Sequence, residues 1–138
     1  MPARDLYHDA GKNALVKDGW TITHDPYRMT VGQRTVYVDL GADNILAAER
    51  EGRRIAVEVK TFQGPSDIAD LEQALGQYVL YRALLRRSDP ERRLYLAVPE
   101  KALFGIFQEP IALPVLEDLA VALLAFNPTR EEIVTWRN

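Results

Sequence analysis

Leu6, Ala10 and Ala14 recur at helical spacing with Tyr7 and Leu15 beside them, and the run stops at Asp18-Gly19, where a glycine closes a helix. The spacing predicts a helix over residues 3–17. Residues 20–24 form a β-prone run ended by Asp25-Pro26, because proline disfavours helix in the residue before it. A second β-rich run covers 35–40, and Gly41 permits a bend before the apolar residues 45–48. Beyond the charged turn at 50–53, Ile55, Val57 and Val59 alternate with Ala56, Glu58 and Lys60, so a hairpin is expected. Gly64-Pro65-Ser66 supplies a break and an N-cap for a long helix, carried by Ile68, Leu71, Leu75 and Val79 to about residue 87 and ended by Asp89-Pro90.

An apolar strand at 94–98 follows that helix, the mark of a crossover unit. A short helix is expected at 100–107, a loop or helix at 110–118, a strand at 121–126 and, past Asn127-Pro128, a last strand at 133–136. The order is helix, strand, strand, strand, helix, strand, then a C-terminal β-hairpin. It predicts an α/β sandwich in one domain over residues 1–138.

Composition narrows the chemistry. The 47% apolar and 27% charged residues are ordinary globular values. The absence of cysteine excludes catalytic thiols, thiolate zinc sites and a disulfide framework. The opening residues have no apolar segment behind their charges, so no secretory signal is expected, and residues 111–126 are broken by Pro114, Glu117 and Asp118. A soluble, cytoplasmic protein is the expectation. The net charge of −3 gives no global field toward nucleic acid, so such contacts need local patches. Arg50, Arg53 and Arg54 form one candidate, and Arg82, Arg86, Arg87, Arg92 and Arg93 another. For the second, a solvated helix end favoured by the helix dipole is the preferred reading.

The sharpest signal is Glu58-Val59-Lys60 inside an apolar strand, because a period of two puts both charges on one face. Such burial is costly unless the pair serve each other or a ligand. An acid that holds a divalent ion, beside a lysine that serves the attacking water or neutralises phosphate, suits metal-assisted phosphodiester cleavage. A glutamate–lysine ladder on a solvated face is the plainer alternative. Folding the hairpin about Glu51-Gly52 sets Glu58 opposite about Ile45, which brings Asp43 within a residue pair and Asp39 one step further. Register favours Asp43, with Asp39 the close competitor. Gln73, Gln77 and Tyr81, at i, i+4 and i+8, make a polar stripe on the long helix that either lines a site or marks a simple amphipathic face. Trp20 and Trp136 are expected in the core.

Acid, turn, Glu-x-Lys strand, helix and strand resemble the PD-(D/E)xK nuclease superfamily. The resemblance implies a restriction-endonuclease-like core, Mg²⁺ (or Mn²⁺) held by Asp43 or Asp39 with Glu58, and catalysis by Lys60. Gln77 and Tyr81 match its Gln-x-x-x-Tyr pattern. More closely, residues 2–9, 17–26, 38–43, 55–60, 74–78 and 94–99 resemble the XisH family, the fdxN element excision controlling factors. That likeness implies a role in programmed DNA rearrangement in cyanobacteria, with DNA, an XisI-type partner and a site-specific recombinase. His8 stands where related nuclease-like proteins carry a metal-facing glutamate. It is a supporting site residue or simply an exposed or capping histidine near a helix start. Lys12, one turn on, shares its face and joins Arg53 and Arg54 as a candidate phosphate contact. A homodimer would let two copies cut both strands. The rival expectation is a non-catalytic accessory that binds DNA or the XisI-type partner and controls a separate recombinase.

Overall fold

The computed structural model describes residues 7–31, 34–36 and 45–137. Helix α1 (His8–Lys17) precedes β1 (Thr21–His24), a small hairpin of β2 (Met29–Val31) and β3 (Arg34–Val36), then β4 (Ile45–Arg50) and β5 (Arg53–Val59). The long helix α2 (Asp67–Ser88) leads to β6 (Arg93–Pro99), α3 (Glu100–Leu103), α4 (Leu113–Leu119), β7 (Leu123–Asn127) and β8 (Glu132–Arg137). Among the described residues, six strands form one sheet in the order β1-β4-β5-β6-β7-β8, with β5, β6 and β7 parallel and the other pairs antiparallel.

The β4–β5 hairpin follows from its turn. Glu51 and Gly52 have φ of 51° and 79°, the double positive φ of a two-residue turn whose twist matches the strands. Arg50 then pairs with Arg53, and Ile45 with Glu58, the register expected from the sequence. Along β5, Ile55, Val57 and Val59 face α1, whereas Ala56 faces α2. Both faces of the sheet are therefore covered. Gly11 lets α1 lie close to β5, since a Cβ there would come within 3.2 Å of Val59 Cγ2.

Helix α2 starts at Ser66, whose side chain accepts from the Ala69 N–H at 3.2 Å, with Asp67 and Asp70 in its first turn and Arg86 and Arg87 in its last. Both ends complement the helix dipole. Leu71, Ala74, Leu75, Tyr78, Tyr81 and Leu85 bury its inner face. The Tyr78 hydroxyl donates to Leu94 O at 3.1 Å and accepts from Ala122 N–H at 3.0 Å, stitching α2 to the start of β6 and to the strand entry at β7. Tyr78→Phe is expected to cost about 1–3 kcal/mol of unfolding free energy, because two buried backbone groups lose their partner. A urea transition shifted by less than the experimental error would refute that role.

The structure departs from these expectations at several points. The expected helix at 100–107 divides into α3 and a 3₁₀ turn at Ile106–Gln108, because the chain bends at Gly105, where a Cβ would sit 2.9 Å from Lys101 O. The strand expected at 35–40 is seen as β3 at Arg34–Val36, paired antiparallel with an unexpected β2 at Met29–Val31, and residues 37–40 lie outside the described residues. Arg92 does not belong to a basic surface: it is 6% exposed, with its guanidinium on Ile55 O, Asp89 and the Tyr27 ring. Arg82 is likewise engaged, donating to Leu119 O at 2.6 Å and Ala120 O at 3.3 Å at the end of α4. Trp20 is buried as expected and meets Trp136 at 5.7 Å between ring centroids, whereas Trp136, also expected in the core, is only partly buried against it.

Candidate functional site

The C-terminal end of β5 carries the unusual chemistry. Glu58 is 2% exposed and flanked across the sheet by Ile45 on β4 and Leu96 on β6. Strand alternation turns it toward α2, since Ala56 packs there and Val57 and Val59 pack toward α1. Lys60 follows on the same side: its Nζ donates to Gln73 Oε1 at 2.7 Å, and its backbone N–H joins Ala97 O on β6. Two turns along α2 from Gln73, Tyr81 is fully buried. Desolvation, then the negative charge of Glu58, holds its hydroxyl protonated well above the usual tyrosine range. Tyr81 is thus a neutral hydrogen-bonding group beside a carboxylate. Gln77, between Gln73 and Tyr81 on the same stripe, is half-buried.

A second constellation lies at the same end of the sheet, on α1. His8 is 1% exposed, and its Nε2 lies 2.8 Å from Asp25 Oδ1. Lys12 Nζ donates to Asp25 Oδ2 at 2.9 Å. While Nε2 meets the carboxylate, the Nδ1 atom of His8 is buried with no hydrogen-bond partner among the described residues. The Tyr7 N–H donates to Thr61 Oγ1 at 3.1 Å, tying the start of α1 to the residue after Lys60. Asp25 is the residue that sequence reasoning missed. Its neighbour Pro26 marks it as a strand stop, and the partner that gives it a purpose is 17 residues away on another element. Asp25→Asn is expected to lower stability by about 1.5–3 kcal/mol, the worth of hydrogen bonds to a charged group. Lys12→Met, at a more exposed position, is expected to cost under about 1 kcal/mol. Urea unfolding of both variants distinguishes a buried histidine anchor from a surface ion pair.

Other candidates are placed elsewhere. Arg53 and Arg54 start β5, roughly 20 Å from Lys60 at the strand rise. Arg53 lies over the Trp20 ring at 5.6 Å, and Arg54 pairs with Asp89 and, at 3.8 Å, with Glu91. Asp39 and Asp43 lie outside the described residues, and among the described residues no group of three or more metal-ligating side chains is found. No helix among them is long and apolar enough to cross a membrane.

A mixed α/β domain with an acid–lysine pair at a buried strand end defines the class. The model of the XisH protein family matches residues 1–134, and the chain belongs to that family. It is similar to the crystal structure of an XisH family protein from Nostoc punctiforme PCC 73102, with 41% identity, a TM-score of 0.87 and coverage of 97% of this chain and 100% of that one. It is equally similar to that of an fdxN element excision controlling factor protein from Anabaena variabilis, with 40% identity, a TM-score of 0.88 and coverage of 98% and 100%. No curated protein matches the chain.

Proposed function

We propose that this chain takes part in excision of an fdxN-type DNA element as a metal-dependent endonuclease-like factor that hydrolyses phosphodiesters. The observation that carries the reading is the pairing of a buried Glu58 with Lys60 on one face of β5, against the Gln73–Tyr81 stripe of α2. With the separate β2–β3 pair set aside, the order α1, β1, β4, β5, α2, β6, with β4 antiparallel to β5 and β5 parallel to β6, supports a restriction-endonuclease-like core. The Anabaena variabilis relative supports the excision role.

Mg²⁺ or Mn²⁺ would be held by the hard oxygen of the buried Glu58 with Asp43 or Asp39, and the buried Nδ1 of His8 would face the same site as a supporting group. When bound, such an ion lowers the pKa of water and neutralises phosphate charge. Lys60, steadied by Gln73, orients the attacking water or meets the phosphate. Tyr81 stays protonated beside Glu58, and Asp25 fixes the ring of His8. DNA is the substrate, with an XisI-type protein and a site-specific recombinase as partners and a homodimer as the unit that cuts both strands.

The net charge of −3, and the pairing of Lys12 and Arg54 with carboxylates of the same chain, favour a second reading: an accessory that binds DNA or the XisI-type partner without cleaving. Incubation of purified protein with supercoiled and branched DNA in Mg²⁺ or Mn²⁺ decides between them. Nicking that disappears in Glu58→Gln and Lys60→Ala supports the nuclease. Partner or DNA binding without hydrolysis, unchanged in Glu58→Gln, supports the accessory.

A further inference from the structure

Beside the Glu58–Lys60 strand end, a cavity of about 540 Å³ opens at the C-terminal ends of β5, β6 and β7. Open α/β sheets bind ligands at such strand ends, and the volume is that of a small-molecule site. Its walls combine flat apolar groups, Phe62, Tyr7 and Pro128, with the polar edges of Gln63 and Asn127. Those edges are held in place. Gln63 Nε2 donates to the Tyr7 hydroxyl at 2.7 Å, and Asn127 donates to Glu100 Oε1 at 2.7 Å while accepting from the Thr129 and Arg130 N–H groups.

Phe62 is the telling residue. Its φ is 61°, the left-handed region that a bulky side chain rarely adopts, and its ring is fixed edge-on against Phe107 at 5.2 Å between centroids. A strained aromatic two residues beyond Lys60 is costly to keep, and strain of this kind clusters at binding sites. The charge on the walls selects the occupant: Asp67 and Glu100 outnumber Lys101, so the interior disfavours a phosphate and suits a neutral, flat group with hydrogen-bonding edges.

We infer that this cavity receives an unpaired nucleobase of the bound DNA, with Phe62 as its stacking platform. The inference rests on the reading that the Glu58–Lys60 end engages DNA, and it narrows the substrate to DNA with an unpaired or extruded nucleotide beside the scissile phosphate. Extrusion turns a base out of the stack while its phosphate remains in the strand, so one nucleotide can span the two adjacent sites.

The test uses the full chain and fluorescein-labelled oligonucleotides in anisotropy titrations: an intact duplex, the same duplex with one unpaired base, and that duplex with the unpaired base replaced by an abasic residue. Phe62→Gly removes the ring while suiting the positive φ, and Phe62→Tyr keeps a ring. Native protein is expected to bind the unpaired base at least about tenfold more tightly than the abasic form, with that ratio falling to about one in Phe62→Gly and kept in Phe62→Tyr. DNA binding with the same affinity for both forms, or a preference that survives in Phe62→Gly, overturns the base pocket and leaves the DNA-directed reading standing. No binding to any of the three DNAs, even with the XisI-type partner present, overturns that reading and the pocket with it.

Discussion

The Glu58→Gln chain is expected to lose metal-dependent nicking by on the order of 10²–10³-fold while its thermal midpoint stays at or above that of the parent. The two halves of this expectation have one cause. Glu58 is 2% exposed between Ile45 and Leu96, where an ionised carboxylate is expensive to hold and an amide of the same shape is less so. Lys60→Ala is expected to give a similar loss of nicking with a smaller effect on stability, since Lys60 is only part-buried. Nicking assays with and without EDTA, run beside thermal melts, read both quantities. Full nicking by Glu58→Gln would remove this carboxylate from the chemistry, whatever the melts show.

Arg92→Ala is expected to be the most destabilising of the single changes considered, by about 3 kcal/mol and a fall in midpoint on the order of 10 °C. The side chain is 5% exposed, its Nε lies 3.1 Å from Asp89 Oδ2, and it donates to Ile55 O at 3.0 Å. Its guanidinium also lies 4.9 Å from the centre of the Tyr27 ring. Removing it leaves the Ile55 carbonyl without this donor, although Arg54 still pairs with Asp89 and keeps the loss at the lower end for a broken buried pair. Arg92→Lys is expected to restore little, because an ammonium cannot present the planar fork that meets carbonyl, carboxylate and ring together. Urea unfolding of Arg92→Ala within about 1 kcal/mol of the parent would show that this network does not hold β5 to β6.

The local pattern determined much of the architecture. Alternation at Ile55–Val59 and the turn at Glu51-Gly52 were enough to pair Glu58 with Ile45, because side-chain period and turn geometry are short-range properties. The cap at Ser66 and the apolar stripe marked α2 for the same reason. Likewise, the two-residue spacing of Glu58 and Lys60 required one face, and the four-residue spacing of Gln73, Gln77 and Tyr81 another.

Tertiary structure alone decided what those faces meet. Asp25 reads as a strand stop until the chain folds His8 and Lys12 onto it. Arg92 reads as part of a basic patch until β5 and Asp89 enclose it. The positive φ of Phe62 has no local signature, because in a non-glycine residue it is imposed by packing such as the contact with Phe107. Periodicity records which side of an element turns inward. The partner it finds there depends on contacts across many residues of chain, and those exist only once the layers have closed.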